Sequence, residues 1–195
     1  MKRFSILLLA FLLLVLLGAC GGGGSSPDQS STPGDAAQPE AQARTLLPPF
    51  QALDLEGNEV DNDLFRGYEL TMVKIWGTYC RPCIREIPDL ERLYQTWGPQ
   101  QVQIIGIVSD DQPETAREIM DAQRATYLNL IPDHSLRDNL VSHYDYVPVT
   151  VFVDREGRLL DAVISGSRSY DFYNQAIQQL LAAEREDTPG EDEHE

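Results

Sequence analysis

Cys80-Arg81-Pro82-Cys83 is the stretch of this sequence whose residue types and spacing can do chemistry. Two thiols in the first turn of a helix can close a small disulfide, and a helix N-terminus favours the thiolate on the first of them. Arg81 adds a positive charge beside it. The pattern predicts Cys80 as an exposed, activated nucleophile and Cys83, one turn inward, as the thiol that resolves a mixed disulfide. Cross-linking so short a loop gains little chain entropy, which argues against a purely structural bridge. The pair is also half of a zinc site, but His134, His143 and His194 do not have the spacing of a paired ligand set, so no metal is expected.

The elements that must position these thiols follow from the hydrophobic pattern. Leu70–Trp76 reads as a strand of buried type, and residues 82–97 carry a helical apolar stripe through Cys83, Ile87, Leu90, Tyr94 and Trp97, interrupted by Pro88, which should kink it. Residues 50–59 suggest a hairpin. Val102–Val108 reads as a central strand, 113–124 as a helix, 127–131 as a short strand and 136–143 as a short helix. Val149–Asp154 and Leu159–Ser165 form a strand pair, and 170–184 a last helix. Alternating strand and helix ending in a strand pair implies an α/β sandwich, with a mixed sheet covered by helices on both faces.

Trp76-Gly77-Thr78-Tyr79-Cys80-Arg81-Pro82-Cys83-Ile84-Arg85-Glu86-Ile87-Pro88 resembles the active-site stretch of the thioredoxin superfamily. More narrowly, it is similar to the TlpA/ResA-like branch of membrane-anchored thiol-disulfide oxidoreductases, whose motif W-x-x-x-C-x-P-C is followed by a Glu and a Pro. The resemblance implies a thioredoxin-like three-layer sandwich with an N-terminal hairpin and a central helix–strand insertion over 113–143. It also implies that Pro148 is cis and faces the cysteines, that the Val147 backbone pairs with substrate, and that Glu86 is partly buried and assists proton transfer. Burial would suit Glu86 to general acid–base work near neutral pH, against the plainer alternative of an exposed helical Glu paired with a neighbour. Trp76 and Tyr79 are candidate substrate-binding residues; packing is favoured for Trp76 and a place on the rim for Tyr79. Asp110-Asp111 fits loop and cap duty better than a place in the cleft.

The resemblance further implies a protein-disulfide reductase with no cofactor beyond the redox-active Cys80–Cys83 disulfide. Electrons would come across the membrane from an integral thiol carrier of the CcdA type. The clients would be exported proteins, such as apocytochrome c or a methionine sulfoxide reductase. A disulfide-forming oxidase is the alternative direction. A peroxiredoxin is disfavoured, because that family's Pro and Thr before the reactive Cys are replaced here by Val73 and Gly77. A copper-binding protein of the Sco type places three residues between its cysteines, where this chain has Arg81-Pro82. A non-catalytic binding module would tolerate loss of either cysteine.

The rest of the sequence bears on location. Lys2 and Arg3 precede an apolar core over 4–17, too short for an ordinary spanning helix of about 20 residues. Leu17-Gly18-Ala19-Cys20 resembles the bacterial lipobox, so residues 1–19 are expected to be a lipoprotein signal peptide and Cys20 the lipidated residue. Residues 20–45 then read as the anchor and a flexible Gly/Ser/Pro-rich tether, 46–184 as the folded domain and 185–195 as a disordered acidic tail. The expected location is the extracytoplasmic face of a bacterial membrane. With 15 Lys+Arg against 31 Asp+Glu, the net charge of −16 excludes a sequence-independent grip on nucleic acid.

Overall fold

The computed structural model describes residues 44–187, so the expected signal peptide, Cys20, His194 and most of the tether and tail lie outside the described residues. The described residues form seven strands: β1 (Gln51–Asp54), β2 (Glu59–Asp61), β3 (Leu70–Trp76), β4 (Val102–Val108), β5 (Asn129–Ile131), β6 (Val149–Asp154) and β7 (Leu159–Ser165). Four α-helices accompany them: α1 (Arg81–Trp97), α2 (Pro113–Gln123), α3 (His134–Asn139) and α4 (Tyr170–Asp187). The strands form one mixed sheet in the order β2-β1-β5-β4-β3-β6-β7. β3 runs parallel to β4 and antiparallel to β6, while β1 and β2 form the expected hairpin at one edge. This is the thioredoxin-like α/β architecture, with α2, β5 and α3 as the insertion between β4 and β6.

All seven residues of β3 are buried, and so are all seven of β4. Their alternation divides two apolar layers. Leu70, Met72 and Trp76 join Ile104, Phe152 and the apolar faces of α1, α2 and α4 in one layer. Val73 and Ile75 join Ile105, Val151, Leu136 of α3 and the N-terminal Leu47 and Phe50 in the other. Helix α1 continues through Pro88, although that residue has no N–H to offer the preceding turn. Glu91 of α1 is buried and accepts from Thr126 N at 2.7 Å and Thr126 Oγ1 at 2.9 Å, which ties the helix to the segment entering β5.

Several boundaries differ from those read in the sequence. The fold already includes residues 44 and 45: Leu159 N donates to Thr45 O at 2.8 Å, and Arg44 meets Glu184 at 2.7 Å. Helix α3 starts at His134 rather than Leu136, because Asp133 caps it by accepting from Leu136 N at 2.7 Å. Helix α4 runs to Asp187, so the stretch expected to be a tail from residue 185 begins as helix.

Gly106 has a packing reason to be glycine. Trp76 Nε1 donates to Asn129 Oδ1 at 2.8 Å across β4, and a Cβ on Gly106 would overlap Asn129 Oδ1 and lie 2.9 Å from Trp76 Nε1. Gly106→Ala is therefore expected to cost about 1–3 kcal/mol of stability by overpacking. Urea unfolding of the variant and the parent measures it, and an unchanged midpoint overturns the account.

Candidate active site

The site begins where β3 ends. Trp76 is 2% exposed and donates its indole N–H to Asn129 Oδ1, a packed position of the kind favoured for it over a place on the substrate-facing rim. Beyond it the chain turns over Gly77, where Cys80 N donates to Gly77 O at 3.0 Å. Thr78 fixes the turn from the other side, giving both N–H (3.0 Å) and Oγ1–H (2.6 Å) to Asp110 Oδ2. Asp110 thus has the loop duty expected of it. Tyr79 is 71% exposed, and its ring lies against Gly77, where a Cβ would come within 2.8 Å of Cε1.

Cys80 is the N-cap of α1, and Cys83 N points at its Sγ from 3.3 Å. The two residues form a disulfide with Cα atoms 5.3 Å apart. The sequence predicted an exposed Cys80, but it is 7% exposed, against 1% for Cys83. Two neighbours account for the cover. The capping geometry turns Sγ toward the helix, and Val147 O stands 3.7 Å from it. The Val147–Pro148 bond is cis, and Pro148 O accepts from Gly166 N at 2.8 Å, which docks this turn on the end of β7. Beside it Tyr146 is half-exposed and shares a 2.7 Å hydrogen bond with Ser165 Oγ.

One turn beyond Cys83, Glu86 is 3% exposed, which removes the reading of an exposed helical Glu. Its partner was not foreseen. Lys74, from the middle of β3, is 1% exposed and brings Nζ to 2.6 Å from Glu86 Oε1. Beside that ion pair the ammonium also donates to Thr150 Oγ1 at 3.1 Å and Tyr173 Oη at 2.8 Å. Tyr173 of α4 passes the chain on, its hydroxyl donating to Glu86 Oε2 at 3.2 Å, and Arg168 N donates to the same oxygen at 3.3 Å. Burial holds the Lys74 amine below the ordinary lysine range, with Glu86 opposing that shift. Burial, and then the Glu86 charge, push the Tyr173 phenol up.

The sequence carried a signal for Lys74. Beyond residue 2 it is the only lysine, and every other Lys/Arg position is arginine. It also interrupts an otherwise apolar strand, and a buried charge there demands a buried counter-charge. His134, a conceivable metal ligand, instead faces Asp138 at 3.1 Å on α3.

The AhpC/TSA family matches residues 43–162. The thiol:disulfide interchange protein HelX of Rhodobacter capsulatus is 32% identical over 155 residues, which span 80% of this chain and 82% of that protein. The thiol-disulfide oxidoreductase ResA of Halalkalibacterium halodurans is 28% identical over 119 residues, 60% of this chain and 65% of the relative's length. Among solved structures, a thioredoxin-family thiol:disulfide interchange protein of Chlorobium tepidum superposes with a TM-score of 0.62 at 23% identity, covering 71% of this chain and 97% of its own. That likeness is one of fold.

The buried phenols give a pH prediction. Desolvation, then the charges of Glu86 and Glu91, push the buried Tyr127 up from 10.0, the same direction as Tyr173. A raised native value means that stability is fully present below pH of about 10, where the unfolded phenol ionises, and is lost as pH rises further. In an alkaline titration, the phenolate absorbance of these two of the eight tyrosines is expected to appear only as the far-ultraviolet dichroism disappears. Ionisation of all eight in a chain that retains its native dichroism overturns this.

Proposed function

The chain belongs to the AhpC/TSA family as a thiol-disulfide oxidoreductase of the ResA/HelX type, and from that premise we propose that it is a lipid-tethered reductase of disulfides in exported proteins. The observation that carries the reading is the Cys80–Cys83 disulfide at the head of α1, with the Val147 carbonyl 3.7 Å from Cys80 Sγ. Cys80 is the sulfur nearer the surface and the one that the helix N-terminus favours as thiolate.

In the reduced chain, the Cys80 thiolate attacks one sulfur of a client disulfide and forms a mixed disulfide, and the other client sulfur leaves as a thiolate. Cys83 then loses its proton and attacks Cys80 Sγ, releasing the second client sulfur and closing Cys80–Cys83. Two electrons pass to the client. Glu86, one turn along α1, is the group proposed to take the Cys83 proton. The backbone of Val147 and the exposed rings of Tyr79 and Tyr146 are proposed to line the bound client segment. The disulfide itself stores the electrons, so the cycle calls for no bound cofactor. An integral dithiol carrier of the CcdA type would restore the thiols, and apocytochrome c or a methionine sulfoxide reductase is the kind of client proposed.

The tether rests on the Leu17-Gly18-Ala19-Cys20 motif, with attachment through Cys20 at the extracytoplasmic face. Several acyl chains on one cysteine would hold it stably, which a single chain does not. Among the described residues no helix is long and apolar enough to cross a membrane.

Cys83→Ala is expected to accumulate client mixed disulfides on Cys80, and Cys80→Ala to form none. The reduction potential is expected nearer the roughly −270 mV of a general reductant than the −120 mV of a strong oxidant. A value near −120 mV reverses the proposed direction, and identical behaviour of both variants removes the exchange reading. Cys20→Ala is expected to move the protein from the membrane fraction to the soluble extracytoplasmic fraction; retention on the membrane refutes the anchor.

A further inference from the structure

We infer that Lys74 is a positioning residue of the exchange reaction: from the core side of β3 its buried ammonium pairs with the Glu86 carboxylate and keeps it placed to accept the Cys83 proton in the resolving step. The inference rests on the thiol-disulfide reading above and adds to it a residue outside the Cys-x-x-Cys segment.

The geometry is that of a closed cluster. Lys74 and Glu86 are 1% and 3% exposed, 2.6 Å apart, and come from different elements. The groups facing Glu86 are Lys74 of β3, Thr150 of β6 through the ammonium it shares, Tyr173 of α4 and the Arg168 backbone before it. Tyr127, ahead of β5, also feels the Glu86 charge. Of these, the ammonium is the one full positive charge buried against the carboxylate. The Arg168 guanidinium, the other nearby cation, turns instead to Ser167 O and the Phe172 ring. A carboxyl buried without such a partner stays protonated at neutral pH and cannot act as a base. Lys74 removes that obstacle.

The choice of residue points the same way. Every other Lys/Arg position after residue 2 is arginine, so the composition of this domain disfavours lysine everywhere but here. A guanidinium is permanently charged, whereas a buried amine can give up its proton. Once the Cys83 proton has reached Glu86, the cluster can therefore release a proton from the amine as well as from the carboxyl, the two being linked from Lys74 Nζ by way of Tyr173 Oη to Glu86 Oε2. When Cys83–SH transfers its proton to the Glu86 carboxylate, the thiolate left behind supplies the electron pair for the new Cys80–Cys83 bond. The client sulfur departs with the electrons of the broken bond. The ammonium, now beside a neutral carboxyl, is an uncompensated buried charge, which favours return of the proton to solvent.

The test uses the full reduced chain and excess 5,5′-dithiobis(2-nitrobenzoate) in a stopped-flow instrument across a range of pH. The first nitrothiobenzoate released reports attack by Cys80, and the second reports resolution by Cys83. Lys74→Met is expected to move the acid limb of the second phase up by about one to three pH units, slowing it roughly tenfold or more on that limb, with the first phase changed less than about twofold. In a Glu86→Gln background the same substitution is expected to move nothing further. Lys74→Gln keeps donors for Thr150 and Tyr173 without the charge and serves where Lys74→Met does not fold. An infrared difference spectrum at neutral pH between the parent and Glu86→Gln is expected to lose an ionised-carboxylate band. An unmoved limb in a folded Lys74 variant, an equal movement without Glu86, or loss of a protonated-carboxyl band overturns the inference. Absence of both phases in the parent chain instead refutes the exchange reading beneath it.

Discussion

β3 is covered on both faces along its whole length, and this constraint organises the rest of the molecule. A strand with no solvent side sends each side chain into one of two closed layers, and any polar group on it must find its partner inside. Lys74 and Trp76 point into the layer filled by α1 and α4. The indole therefore reaches across Gly106 to Asn129, and the ammonium has to be met by a residue of a helix. Because β3 leads within four residues into α1, the same register sets where the cysteines emerge and which side of the helix Glu86 presents to the sheet.

The site divides its chemistry by depth. The disulfide lies close under the surface, framed by the turn at 77–79, the cis Val147–Pro148 segment and the end of β7. The charges lie one helical turn lower and are sealed from water. In that low-dielectric layer a proton transferred to or from Glu86 is felt strongly by its neighbours, whereas near the surface solvent would screen it. Under the proposed cycle, the fold separates sulfur exchange, which needs access, from proton handling, which gains from exclusion of water.

What could be read in the sequence was whatever depends on neighbours along the chain. The buried strands, the stripe of α1 and the cysteine spacing are local patterns, and they reappear within a residue or two. The cis Val147–Pro148 bond followed from family likeness, since the sequence suits either isomer. The exposure of Cys80 was misjudged because its cover comes from Val147, which is 67 residues away. Tyr173 joins Glu86 across 87 residues and had no local mark at all. Lys74 did have one, the lone lysine of an arginine domain in the middle of an apolar strand, but its partner could be found only by laying α1 on β3.

That scarcity of lysine has a practical side. A protease that cleaves only after lysine finds no site on the surface of the folded domain, because residue 74 lies in the middle of the central sheet at 1% exposure. Cutting at that bond requires β3 to leave its place between β4 and β6, so the rate of cleavage counts openings of the sheet centre and ignores fraying at the edges. The residue that balances charge in the core is thereby also a clock for the stability of the core itself.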